Sequence, residues 1–445
     1  MLIIQQILFL IVLLVAGYVI RKRILRIAGN INLGKDKKIN DRPAERLKNM
    51  VLLAFGQKKM FDKPLVGFLH FLVYAGFILI NIEILEIIID GLAGTHRVLH
   101  SILSSFYPVL IGFFEFLAVG VIVACAVFLI RRNILKLPRF IKSELNGFPK
   151  IDANFILIAE ILLMFALLSM NAADVILQDR GVGHFAHVKT GNFAFSQFFI
   201  PFFNSWSSSS LEIYERFTWW FHICGILAFA VYVTYSKHLH IVLAFPNTYF
   251  SRLEPKGEIY NMPVVTKEVK SMLGLPVENE EIPTTTPVEP ERFGAKDIND
   301  LSWKNLMDAY SCTECGRCTE QCPANITGKK LSPRKIMMDT RDRMEQVGKA
   351  IEAKQEPFTD GKFLLDNYIS REELLACTSC NACVEACPVS INPLDIIIEM
   401  RRYMAMEESK VPGSWGAMFS NIENNAAPWK FSPSERFNWA EKLKS

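Results

Sequence analysis

Residues 219–240 read WWFHICGILAFAVYVTYSKHLH. No lysine, arginine or carboxylate interrupts the run before Lys237, and His222 is the one titratable imidazole inside it. A helix that crosses a bilayer needs about 20 residues of this kind. The stretch therefore reads as a membrane span that leaves the lipid at Ser236-Lys237-His238-Leu239-His240. This reading divides the chain, with membrane protein before the stretch and water-soluble protein after it.

Four other stretches, near residues 2–20, 66–89, 108–130 and 153–175, are long and apolar enough to span, and 212–236 makes the fifth. The connections 21–63 and 131–150 hold thirteen and six Lys/Arg residues, whereas 90–107 and 176–211 hold one and two. Basic loops remain on the cytoplasmic side. A multi-pass protein of the cytoplasmic (inner) membrane is expected, with its N-terminus outside and everything beyond about residue 237 in the cytoplasm. The opening MLIIQQILFLIVLLVAGYVI carries its charge afterwards, in RKRILR. A secretory signal has the opposite order and a small-residue cleavage site, so this is read as a permanent first span.

The 445 residues are 51 % hydrophobic and 21 % charged, a balance suited to a chain half in lipid and half in water. The net charge of +4 is small. No basic patch interleaved with aromatics indicates nucleic-acid binding. Neither a nucleophile–base pair nor a phosphate-cradling glycine loop is visible. The expected fold is all-α: a five-helix membrane domain over 1–245, a Pro-rich charged linker over 246–300, a helical cysteine-bearing domain over 301–408, and a tail over 409–445 that would dock a partner. In LSPRKIMMDTRDRMEQV the apolar spacing is helical, with Ser332 as N-cap and Pro333 at the first helical position.

Eight of the ten cysteines fall in CTECGRCTEQCP (Cys312, Cys315, Cys318, Cys322) and CTSCNACVEACP (Cys377, Cys380, Cys383, Cys387). Both runs have the spacing C-x2-C-x2-C-x3-C-P. The first three cysteines of such a run hold one iron–sulfur cube and the fourth completes the other. One [4Fe–4S] cluster is expected on Cys312, Cys315, Cys318 and Cys387, and a second on Cys377, Cys380, Cys383 and Cys322. Zinc sites and structural disulfides do not use this doubled pattern. The remaining pair, Cys125 and Cys224, read as small apolar membrane residues.

An intramembrane histidine is costly and usually functional. His70 lies near the start of the second span and His240 at the end of the fifth, at matching depth on antiparallel helices, as bis-imidazole ligation of a b-type haem requires. His238 is the substitute ligand, though a snorkelling pair at the membrane edge is the plainer reading of His238 and His240. His222 and His240 are eighteen residues apart, about five turns of one continuous helix. His222 would thus serve a second, outer haem or help bind a quinone. Ile80, Asn81 and Ile82 occupy the matching depth on the second span, so that haem lacks its other ligand. His96, His100, His184 and His187 would serve only if their segments fold inward. Glu83, Glu86 and Glu115 would relay protons to a quinone or hydrogen-bond between helices.

On these residues, positions 1–245 resemble the five-span cytochrome b subunit of respiratory nitrate reductase and the membrane subunit of heterodisulfide reductase. The likeness rests on His70 and on the His222/His240 spacing. Residues 301–445 resemble the C subunit of heterodisulfide reductase, through the two cysteine motifs, GKKLSPRK and INPLDIIIEMRRYM. The combination resembles fused membrane iron–sulfur oxidoreductases that pass electrons between electron-transfer flavoprotein and menaquinone. Two departures stand out. The family's second span carries two histidines where this chain has only His70. The fused relatives also continue into a catalytic domain with paired CCG motifs, whereas this chain has no cysteine after Cys387. The resemblance therefore implies a separate cytoplasmic CCG-type iron–sulfur subunit.

The resulting expectation is a quinone-linked oxidoreductase subunit. Electrons would pass between a cytoplasmic dehydrogenase or flavoprotein and the membrane quinone pool by way of two [4Fe–4S] clusters and b-type haem. The rival expectations are a haem-free membrane-anchored ferredoxin that docks a soluble redox enzyme, and a redox-sensing interaction protein.

Overall fold

The computed structural model describes residues 3–191, 193–276, 292–353, 360–441 and 443. Among them there is no β-strand, and only the isolated bridges Lys35–Ser302 and Leu365–Ile369 depart from a helical plan. Five helical stretches are long and apolar enough to cross a membrane: Ile3–Ile31, Pro64–Ala93, Val98–Ile134, Phe148–Asp179 and Ser208–Val233.

Helix α1 (Ile3–Ile31) buries Phe9, Ala16, Arg23, Ile27 and Asn30, one stripe at helical spacing. Its apolar first half packs Phe9 against Trp219 and Trp220. The second span is two helices, α2 (Pro64–Leu79) and α3 (Asn81–Ala93). At the junction the Asn81 side-chain amide donates to the Phe77 carbonyl, a back-bond of the kind that bends helices. Helix α4 (Tyr107–Leu129) approaches α2 closely at Gly76, where an added Cβ would lie 2.7 Å from Val121 Cγ2. Helices α5 (Phe148–Asp179) and α6 (Ser208–Val233) complete the bundle.

The fifth span stops earlier than 219–240 suggests. Helix α6 ends at Val233, and Ser236 is extended, its hydroxyl accepting the His238 N–H at 3.1 Å. A single 3₁₀ turn, Lys237–Leu239, leads into α7 (His240–Tyr249). The five-turn relation between His222 and His240 is thereby overturned, because they stand on different helices. The Ser236 hydroxyl caps a new turn and so offers the backbone an alternative to continuing the old one, and the buried pair of Lys237 with Glu314 holds that turn.

The cysteine-bearing part is built on α8 (Trp303–Ser311), α9 (Pro333–Glu352) and α10 (Pro393–Arg402). Each has a side-chain cap at its start: Ser302 for α8, Ser332 for α9 and Asn392 for α10. Residues 292–300 also enter this unit, burying Ala295 and Ile298. Its core is continuous with the end of the membrane bundle, since Ile27, Ala54, Leu239 and Ala244 share one apolar cluster with Leu306, Ile336 and Met400. Polar ties reinforce the joint. Arg23 forks onto Glu345 at 3.0 and 2.6 Å, and Asn30 donates to the Tyr310 hydroxyl at 2.7 Å. The tail helix Gly413–Asn425 has no buried residue.

Candidate redox centres

The two cysteine loops fold alike. Cys312 and Cys377 each cap the end of a preceding helix. Within the loops, Glu314 and Gly316 have positive φ, and so do Ser379 and Asn381 at the equivalent positions. Left-handed residues on either side of the second cysteine curl the backbone so that its N–H groups can face an anionic centre. The Ser379 N–H donates to Cys377 Sγ and the Ile391 N–H to Cys387 Sγ, both at 3.4 Å. Proline follows each fourth cysteine, and at Pro323 it opens the next short helix.

A cavity of about 370 Å³ is lined by Cys312, Cys315, Cys318 and Cys387, together with Cys383, Arg317 and Arg334. The structure thus brings the fourth cysteine of the second run to the first three of the first run. The other set is linked in the same way, since Cys322 and Cys377 both act electrostatically on Cys383. Cys380 is exposed, while Cys312, Cys322 and Cys383 are buried. Burial pushes the Cys312 thiol up to about 11 and the Cys387 thiol to about 12. A bare thiolate is therefore unfavourable there and needs a cation to compensate it. Among the described residues no three His, Cys, Asp or Glu side chains close round a single ion. The cysteine cavity instead gathers five thiols, among them the four expected to hold one iron–sulfur cube.

His70, His238 and His240 gather at the end of the bundle that meets the cysteine unit. The His238 and His240 rings are 5.6 Å apart. Burial lowers the pKa of both rings, that of His238 further because cationic groups such as Lys237 lie beside it. His70 Nδ1 bonds Gln57 Oε1 at 3.0 Å, and His240 Nδ1 bonds the Lys237 carbonyl at 3.1 Å. An imidazole that donates through Nδ1 presents the Nε2 lone pair, the arrangement of a metal-ligating histidine with its orienting partner. The donor set fits a b-type haem. His238 Nδ1 has only a 3.4 Å contact with the Ser236 hydroxyl, which already accepts from the His238 backbone.

His222 is fully buried in α6; its Nδ1 donates to the Leu163 carbonyl at 3.0 Å, and its Nε2 has no partner. At the far end of the bundle His96 turns inward, and His184, itself exposed, lies against it. They join a polar cluster around Arg97, which bonds Asp174, Asn171 and Tyr107 at 2.8, 2.7 and 3.2 Å. His96 bonds the other Asp174 oxygen at 3.0 Å, and the His96 and His184 rings are 5.4 Å apart. Glu86 accepts from Tyr107, and Glu115 from Asn171 and the Phe195 and Ser196 N–H groups, so both serve as helix–helix connectors. Glu83 is buried with neither oxygen hydrogen-bonded.

Sequence reasoning missed Gln57, Lys59 and Lys237, which orient the histidines and reach the cysteine loops. For Lys237 a signal was present: a lysine directly before the first of two closely spaced histidines.

Comparison with known proteins bears on the cysteine-bearing part. Residues 311–391 match the family model described as a 4Fe-4S dicluster domain. Over 99 % of this chain, a Bacillus subtilis protein named "Probable iron-sulfur-binding oxidoreductase FadF" is 29 % identical, with 61 % of its own length covered. The EtfAB:quinone oxidoreductase of Syntrophomonas wolfei is 28 % identical over 91 % of this chain and 55 % of its own length. A "Probable membrane-anchored ferredoxin" of Chromohalobacter salexigens is 32 % identical over 34 % of this chain and 24 % of its own length. The chain spans little more than half the length of the first two. No solved structure matches significantly. The chain thus joins five apolar helices to a 4Fe-4S dicluster domain and is similar to proteins named as quinone oxidoreductase and heterodisulfide reductase subunits.

Proposed function

We propose that this chain is the membrane subunit that connects a cytoplasmic dehydrogenase or flavoprotein with the quinone pool. One [4Fe–4S] cluster is held by Cys312, Cys315, Cys318 and Cys387, and the other by Cys377, Cys380, Cys383 and Cys322. A b-type haem is held by His70 and His240. These groups supply one-electron chemistry; the chain holds them, orients their ligands and keeps water away. The basic connections 21–63 and 131–150 support a cytoplasmic cysteine unit and an N-terminus outside. Electrons enter or leave through a separate CCG-type iron–sulfur subunit, to which the tail 409–445 docks, its helix Gly413–Asn425 burying no residue in this chain.

The observation that carries this reading is the convergence of His70 and His240, each with its Nδ1 satisfied, on the end of the bundle that shares a core with the cysteine unit. Lys237 seals the junction. It is buried, and it donates to the Pro149 carbonyl at 2.7 Å and to Glu314 at 2.5 Å.

The test uses the purified protein in lipid vesicles, reduced anaerobically and mixed with a menaquinone analogue. Reoxidation of the cluster absorbance together with the haem bands is expected. Full clusters that the quinone does not reoxidise would refute the reading. The likeness to a membrane-anchored ferredoxin supports a second reading, a haem-free tether for a soluble redox enzyme. That reading predicts loaded clusters with no haem absorbance.

A further inference from the structure

The two cysteine sets stand differently towards the histidines. Two chains of contacts run from the imidazoles, and both reach the first set. In one, His240 Nδ1 donates to the Lys237 carbonyl at 3.1 Å, and Lys237 Nζ donates to Glu314 Oε2 at 2.5 Å. Glu314 lies between Cys312 and Cys315, and its other oxygen takes Arg341 at 2.5 Å. The lysine and glutamate side chains are 5 % and 3 % exposed, so the pair is shielded from water.

The second chain starts at His70, whose Nδ1 bonds Gln57 at 3.0 Å. Two residues on, the Lys59 carbonyl accepts from Arg317 at 2.9 Å, and Arg317 lies between Cys315 and Cys318. Lys59 Nζ donates to the carbonyls of Glu385 and Cys387 at 3.1 and 3.3 Å. Each imidazole is thus joined, through one lysine residue, to the backbone that shapes the cavity of Cys312, Cys315, Cys318 and Cys387.

From the histidines the loop 377–383 is reached one step further on, since Glu385, beyond Lys59, donates its N–H to the Asn381 carbonyl at 3.0 Å. That loop is held from its own domain. Arg401 donates to the carbonyls of Leu374 and Cys377, both at 2.5 Å, and contacts the Ser379 hydroxyl at 3.4 Å. Its central cysteine, Cys380, is exposed.

We infer that the Cys312/Cys315/Cys318/Cys387 set is the one that exchanges electrons with the histidine pair, with Lys237 and Lys59 as positioning residues, and that the set containing Cys380 faces the soluble redox partner. The inference rests on the cofactors proposed above and adds their order. In the step at the inner junction one electron leaves a reduced cluster, which becomes oxidised, and ferric haem iron becomes ferrous. No bond forms and no proton moves, and reverse flow is the same step backwards. Dense, bonded protein between the two ligand groups favours that transfer over a route from the exposed loop.

The test is a redox titration of the full chain in detergent, with both cluster signals followed by electron paramagnetic resonance and the haem by its visible bands. Cys380→Ser alters one cluster signal and so identifies its set. Lys237→Met removes a cation beside both ligand groups, which disfavours the more negative reduced states. It should lower the midpoint of the haem and of the Cys380-insensitive cluster, leaving the other in place. Lys237→Arg should restore both. Arg401→Met should shift only the Cys380-sensitive cluster. In the unmodified protein, ferricyanide should destroy the Cys380-sensitive signal first, a readout that requires no folded lysine variant.

The order is overturned if Lys237→Met moves the Cys380-sensitive cluster, or if ferricyanide takes the other signal first. Lack of haem bands in the unmodified protein would instead strike the function proposed above, and the order with it.

Discussion

At the scale of single residues, the ring tautomer links sequence to chemistry. Gln57 and the Lys237 carbonyl fix the Nδ1 proton of His70 and His240. Removing a partner of this sort typically weakens metal binding by about 10–100-fold. Gln57→Leu should therefore retain haem in cells but lose it about tenfold or more faster in transfer to apomyoglobin, with the cluster signals unchanged. His238→Ala should keep the haem bands, because its Nδ1 has no comparable partner. The histidines themselves were readable from the sequence, being costly groups in an apolar run. Their orienting partners were not: Gln57 lies thirteen positions from His70, and only folding shows which of several polar loop residues arrives. Glu345 is the residue-scale handle on pH. Burial opposes its ionisation, but the Arg23 guanidinium and Tyr310 hydroxyl outweigh that and hold its carboxyl below the ordinary 4.5. A carboxylate depressed in the folded state stabilises above its unfolded value and loses that contribution as pH falls through the folded one. Amide exchange at the joint of α1 with α9 should accelerate as pH falls below the ordinary carboxylate value of 4.5. Glu345→Gln should flatten this dependence.

Among the elements, the contact between α1 and α9 sets how the cysteine unit sits on the bundle. A Cβ added at Gly348 would lie 1.9 Å from Asn30 Oδ1, so Asn30 would have to leave its 2.7 Å bond to Tyr310. Gly348→Ala should cost about 1 kcal/mol, the net worth of such a bond, read as a lowered midpoint in denaturant. Substituting the exposed Gly413 in the same way should do almost nothing to it. The five apolar stretches and the capped start of α9 at Ser332 follow from patterns that composition and spacing carry. The break at 234–239 does not. A hydroxyl at Ser236 is compatible with a helix that continues and with one that ends, and the choice falls to the buried ion pair of Lys237 with Glu314, 77 positions away.

Taken as a whole, the molecule is one apolar bundle whose end is continuous with a small domain wrapped round its own metal sites. The loops 312–323 and 377–388 carry only short helices, Arg317–Glu320 and Ala382–Ala386, so little regular structure holds the cysteines in place without cofactor. Where a site forms only in the folded state, binding energy is folding energy. Stripping iron with a chelator and oxidant should open residues 301–408 to protease while the five spans stay protected. Equal protection before and after would show that the domain does not depend on its clusters. The sequence could not supply the joint between the halves, because its contacts pair residues about 300 positions apart, such as Arg23 with Glu345.

The account stands on imidazoles from the second span and from the turn after the fifth gripping haem beside the cysteine unit. The direct measurement is a reduced-minus-oxidised visible spectrum, with iron, sulfide and haem assays, on the purified chain and on His70→Ala and His240→Ala. The account predicts paired α and β bands in the unmodified protein and their loss in both variants, with iron and sulfide still present for two cubes. Full haem in either variant, or no Soret band in a chain loaded with iron and sulfide, would contradict it.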